Sequence, residues 1–243
     1  MTSVLRICSS LLILALLVAE PPRVSRIRGS VELVGSRDLM VRRHKDYSGV
    51  VVWLEPLSGG VDPAVPSRPA QMTQKNKMFT PHVLAIPVGG SVAFPNLDPI
   101  FHNAFSNFNG QIFDVGLYKP GSSKTQVFRR PGIVRVFCNI HPQMSAVIAV
   151  LDTPYFAVSD KTGAFEMDGV PAGEYEFHVF HERAAAEHLD TLTHRVTVPA
   201  GTLEFPPVKV SESGYIQVPH KNKYGKEYPP VIEEQPAYSG APK

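Results

Sequence analysis

Cysteine is scarce in this chain: among 243 residues only Cys8 and Cys138 occur. If Cys8 leaves with an export signal, Cys138 stands alone and no internal disulfide can form. A leftover thiol in an oxidising compartment needs another use, and metal ligation is one; a buried inert thiol is the alternative. The chain also lacks an excess of charge of either sign. Twenty-four Lys and Arg against 22 Asp and Glu leave a formal net charge of +2. No basic stripe is present, which sets nucleic acid aside as a partner. A long hydrophobic run is missing too. Ile7 to Ala19 is apolar but short for a bilayer, follows Arg6, and is ended by Pro21-Pro22. Residues 1–19 therefore read as an export signal, which puts the mature chain in the periplasm or outside the cell with no integral membrane span. An uncleaved N-terminal anchor is the alternative. No serine-centred elbow, phosphate loop or paired-carboxylate motif stands out, so an enzyme is not expected.

What the chain does have is punctuation. Its 23 prolines and 18 glycines separate short apolar runs, the pattern of an all-β fold rich in turns. Strand-like runs at 27–34 and 50–54 lead to a stretch at 57–75 with many Pro and Gly and few apolar residues, read as a linker. Arg37 to Ser48 reads as a charged loop, and no convincing amphipathic helix is found. Residues 76–152 form a close series of strands and turns, which indicates a sandwich or barrel. Residues 153–210 give a further set. In Glu174-Tyr-Glu-Phe-His-Val-Phe180, Tyr175, Phe177 and Val179 alternate with polar residues and face one way. Residues 211–243, rich in Pro, Lys and Glu, read as a disordered tail.

The chemistry sits in Phe137-Cys138-Asn139-Ile140-His141-Pro142-Gln143-Met144. A thiolate, an imidazole and a thioether spaced by three residues are soft-to-borderline donors of the kind copper prefers. A strand over 132–137 delivers Cys138 at its end, and a tight loop stiffened by Pro142 turns His141 and Met144 back toward one point. His102, at the tip of a turn, is the best candidate for a second imidazole. The Asn103 amide beside it is placed to hydrogen-bond across to the Cys138 loop. His102, Cys138, His141 and a long axial Met144 together make the donor set of an electron-transfer copper site. Zinc fits less well, because thioether is a poor ligand for it.

These residues resemble a known family. Asn96-x-Asp98, His102-Asn103 and Cys138-x-x-His141-Pro142-x-Met144 are similar to the cupredoxins, and the short Cys-to-Met loop is similar to that of amicyanin and plastocyanin. The resemblance covers about residues 76–152. It implies a Greek-key β-sandwich, one type 1 copper ion per chain, one-electron transfer and transient redox protein partners. By the same resemblance, His141 with Pro142 and Phe101 forms the docking surface. The flanking pattern Asp160-x-x-Gly163-x-Phe165…Val170-Pro171-x-Gly173-x-Tyr175 resembles the carboxypeptidase regulatory-like, transthyretin-related β-sandwich. Residues 27–56 supply its first strands and 153–210 the remainder, so the copper domain is inserted in, or adjacent to, this second small sandwich. That domain implies a structural or docking role. The rival function is a copper carrier or a non-redox binding module of the cell envelope.

The remaining histidines carry less. His178 and His181 lie three apart on a strand, face opposite ways and cannot easily share a metal. Both are expected at the surface or at the core edge. His82 is read as a packing or outer-sphere residue, and Trp53 as a core anchor of the outer sandwich.

Overall fold

The computed structural model describes residues 24–59, 65–107, 111–216 and 218–228. The export signal read at 1–19, Cys8, and the end of the chain from 229 lie outside these residues. Strands account for 47% of the molecule and helices for 7%, so the fold is all-β.

The first half runs β1 (Val24–Val34), α1 (Leu39–His44), β2 (Val51–Pro56), β3 (Ala70–Gln71), β4 (Thr73–Lys75), β5 (Met78–Thr80), β6 (Val83–Pro87), β7 (Ser91–Pro95), β8 (Phe105–Ser106) and β9 (Phe113–Asp114). The second half runs β10 (Ser123–Val127), β11 (Gly132–Phe137), β12 (Ser145–Leu151), β13 (Phe156–Val158), β14 (Ala164–Pro171), β15 (Gly173–Phe180), α2 (Ala186–Leu192), β16 (His194–Val198), β17 (Gly201–Glu204) and β18 (Val208–Ser211).

Two cores form. In the inner one, the sheet β10-β7-β3 faces the sheet β6-β12-β11-β8-β9. Phe94, Phe128, Ile148 and Met72 lie fully buried between them. In the outer one, β14-β1-β17, with β18 also on β1, faces β13-β2-β15-β16. Its core holds Ile27, Leu54, Tyr175, Phe177 and Phe205, so residues near the start of the described chain share a core with residues beyond 155. The alternation in β15 does what its pattern dictates: Tyr175, Phe177 and Val179 are buried in this core.

A third apolar layer joins the two cores. Val51 of β2 meets Val147, Ala149 and Leu151 of β12 there, with Trp53 packed against them. Val50, Val52 and Leu54 point the other way into the outer core, as Ala146, Ile148 and Val150 point into the inner one. Both strands are thus buried on both faces. That is why Val50-Val-Val-Trp-Leu54 and Ala146-Val-Ile-Ala-Val-Leu151 are continuous apolar runs rather than alternating ones. Polar contacts lie beside this seam. His82 Nε2 is 2.7 Å from Glu182 Oε1. Buried Glu212 meets His181 Nε2 at 2.7 Å and Arg183 at 2.9 Å. Burial raises the Glu212 carboxyl pKa, but His181, Arg183 and Ser36 outweigh it and bring it down to about 2.

Several expectations are corrected. The stretch 57–75 read as a linker ends earlier: β3 pairs with β7 and β4 with β5, and Met72 and Gln74 are fully buried. The loop read over 37–48 contains α1, capped by Asp38 Oδ1 accepting from the Met40 N–H at 2.7 Å. A second short helix, α2, has no buried residue, which explains why no amphipathic signal announced it. His181 is buried rather than peripheral, because Glu212 supplies its partner. The described part of the segment read as a disordered tail, 211–216 and 218–228, is placed against the rest of the molecule. Ser211 closes β18, and residues from His220 to Tyr228 contact the Cys138 loop. No helix among the described residues is long and apolar enough to cross a membrane.

Candidate metal centre

β11 and β12 form an antiparallel hairpin in register from Gly132↔Val150 to Phe137↔Ser145. Residues 138–144 are its loop. Two backbone bonds close it: Cys138 N–H donates to Met144 O at 3.2 Å, and Met144 N–H donates to His141 O at 3.0 Å. The backbone is therefore pinned at Cys138, His141 and Met144, three of the residues singled out by their spacing.

His102 arrives from the opposite side. Its main chain forms an isolated antiparallel bridge with Tyr118, with N–H to O distances of 3.2 and 2.9 Å. The turn before it is tied by Asn96, whose Oδ1 accepts from the Asp98 N–H at 3.1 Å and whose Nδ2 donates to Ile100 O at 2.8 Å. Asp98 then holds the imidazole: its Oδ2 is 2.8 Å from His102 Nε2. The same carboxylate accepts from the Asn76 and Lys77 amides at 2.6 and 2.9 Å. Burial pushes the Asp98 pKa up, but the Lys77 amide, His102 and the Asn76 amide prevail and hold it below the usual carboxylate range. With Nε2 engaged, Nδ1 is the nitrogen that faces the loop.

The side chains meet. Cys138 Sγ lies 3.5 Å from His141 Nδ1 and 3.9 Å from His102 Nδ1, and the two imidazole centroids are 4.8 Å apart. Cys138 and His102 are fully buried, and His141 is 3% exposed. Met144 is fully buried in the same core cluster as Cys138. Bonds of about 2.0 Å to nitrogen and about 2.3 Å to sulfur at trigonal angles separate the two donors by about 3.7 Å. The observed spacing fits one ion held by this thiolate and two imidazoles.

Asn103 departs from expectation. Its Nδ2 donates to Asp114 Oδ1 at 2.7 Å and to Gly116 O at 3.0 Å, which ties the His102 segment to β9 rather than to the Cys138 loop. Asp98 is the functional neighbour that reading the motif left without a role. Its position four residues before His102 was the available signal. A second cluster, Glu55, Glu176 and His178, lies on the outer sandwich, with His178 stacked on Trp53 at 5.0 Å. It is exposed at both carboxylates.

No family model matches the chain, and no curated protein matches it. Solved structures do, and these neighbours are cupredoxins. A Cu-containing nitrite reductase from Thermus scotoductus SA-01 is 28% identical over 40% of this chain, with a TM-score of 0.34. That match spans 25% of the nitrite reductase chain. A purple cupredoxin from Nitrosopumilus maritimus is 26% identical over 34% of this chain and 99% of its own, with a TM-score of 0.31. A reduced Cu(I) form of an amicyanin variant is 16% identical over 41% of this chain and 98% of its own, with a TM-score of 0.33.

Proposed function

We propose that His102, Cys138, His141 and Met144 hold one type 1 copper ion and that the chain carries single electrons between protein partners in the periplasm or outside the cell. The observation that carries this reading is the convergence of one thiol and two imidazoles, all buried, at 3.5 and 3.9 Å. A bound copper ion supplies the Cu(I)/Cu(II) couple. The rest is the work of the chain. Cys138 binds as thiolate at the end of a fully paired strand, which restricts its motion. Asp98 fixes the His102 tautomer by accepting the hydrogen bond from Nε2–H, so Nδ1 keeps its lone pair for a metal. Met144 provides a thioether from the far end of the loop. Donors held this firmly move little between oxidation states, and the barrier to electron transfer is correspondingly small.

The docking surface is placed on the loops around His141. Phe101 is 38% exposed and Ile140 is 37% exposed, and Pro142 is exposed beside them. This apolar rim suits a short-lived partner. The domain reading completes the proposal: residues 76–152 form the copper domain, inserted between 27–56 and 153–210 of a regulatory-like sandwich that serves as scaffold. The chain then catalyses no reaction of its own.

The test is spectroscopic. Copper(II)-loaded protein is expected to show an intense thiolate-to-copper charge-transfer band in the visible and a narrow copper hyperfine splitting by EPR. Cys138→Ala is expected to abolish the band. A colourless Cu(II) complex of the unaltered chain refutes the assignment. Voltammetry decides between shuttle and carrier: reversible cycling supports electron transfer, and loss of Cu(I) on reduction supports a copper carrier.

A further inference from the structure

The described C-terminal segment, residues 218–228, reaches back to the metal centre from outside both sandwiches. Four contacts fix it there. The Tyr228 hydroxyl donates to the main-chain carbonyl of Cys138 at 2.7 Å. The Lys223 N–H donates to Asn139 Oδ1 at 3.0 Å. Lys223 Nζ donates to Asp114 Oδ2 at 2.6 Å. The His220 ring stacks on Phe137 with centroids 4.0 Å apart, and its Nδ1 is 3.2 Å from the Tyr228 oxygen. Asp114 is the residue that also receives the Asn103 amide, next to His102. The segment therefore grips both halves of the site. Through Tyr228, His220 and the Lys223 amide it holds the loop that carries Cys138. Through the Lys223 ammonium and Asp114 it holds the segment that carries His102.

We infer that residues 218–228 are a built-in clamp on the metal centre, with Tyr228 and Lys223 as positioning residues that keep the Cys138 loop against the His102 segment. Two consequences follow physically. The clamp covers the Cys138–Asn139 side of the loop, so lifting the segment opens that side of the loop to water. The positive end of the Tyr228 O–H dipole points at the peptide of the thiolate ligand, which disfavours the more positive oxidised state of a bound copper ion. The first consequence needs no metal. The second rests on the copper reading proposed above.

The experiment uses the full chain in a Cys8→Ser background, so that Cys138 is the one thiol. In the metal-free protein, the rate of alkylation of Cys138 reports how often the clamp opens. Tyr228→Phe and Lys223→Met are each expected to raise that rate about tenfold, the effect of losing a hydrogen bond to a charged or buried partner. Lys223→Arg is expected to restore slow alkylation. In the copper-loaded protein, Tyr228→Phe is expected to lower the reduction potential, a change that general loosening of the fold does not dictate in sign. Unchanged alkylation in both variants overturns the clamp, and an unchanged potential overturns the electrostatic role of Tyr228. If alkylation responds as expected while the unaltered chain gives no charge-transfer band, the clamp stands and the copper proposal falls.

Discussion

The two sandwiches bury different things. The outer core is apolar and aromatic, with Phe177 stacked on Phe205 at 4.5 Å and Tyr155 edge-on to Tyr175 at 5.8 Å. The inner core has the same apolar middle, but at one end it buries Gln74, Asn96, Asp98, His102, Asn103 and His141. Buried polar groups cost stability unless each finds a partner. Here most do, and Asp98 is also what aims the His102 imidazole. The inner unit gives up some apolar burial for a fixed arrangement of nitrogen and sulfur donors, whereas the outer unit buries its polar pair, His181 and Glu212, at its edge beside the seam. The difference teaches that the placement of His102 beside Cys138 is drawn largely from hydrogen bonds, while the outer core is held mainly by apolar area.

Substitutions can separate the two. The largest expected effect is on the outer side. Phe177→Ala removes a fully buried ring and should cost about 3–5 kcal/mol, read as a lower denaturant midpoint. If the two units differ as described, the Cys138 site should keep its spectrum in the absence of denaturant. Loss of the spectrum there would show that the units are not separable. Next comes Asp98→Asn on the inner side. It keeps the shape but alters the group that fixes His102, and is expected to weaken metal binding about 10-fold to 100-fold in a competition titration with little change in unfolding midpoint. A large loss of stability without loss of affinity would reverse the comparison.

The smallest effect belongs to the seam. Bonding to Glu182 raises the His82 pKa against the opposing effect of burial. A raised pKa means that the folded state binds the proton more tightly than the unfolded state. The contribution is therefore full below the ordinary histidine value of 6.5 and is lost as pH rises through the folded-state value. His82→Gln should cost under about 1 kcal/mol, since the ring is partly exposed, and the cost should shrink on going from acid to alkaline pH. Equal costs at both ends of the range would rule out the ion pair as the source.

Much of this was legible in the residues. The spacing of Cys138, His141 and Met144 announced a loop that returns on itself, and the hairpin register confirms the loop. The alternation around Tyr175 to Val179 announced an outer strand with one buried face. The partner of Asn103 was not legible, because Asp114 and Gly116 reach it through tertiary placement of β9. Residues 218–228 read as a tail because Pro, Lys and Glu compositions lack apolar runs. Their docking depends instead on one ring stack and a few side-chain bonds to distant residues, which no local pattern encodes.

The pairing of β1 with β17 and β18 has a consequence for biogenesis. Strand β1 sits between β14 and β17, so its sheet stays open until residues beyond 200 have been synthesised. The inner sheets are complete by Leu151. Vectorial emergence of the chain thus makes the Cys138 hairpin available first, the outer sandwich second and the segment bearing Tyr228 last. A metal ion delivered early would meet a site still open on one side, and the closing of the chain over it would come as the final step of maturation.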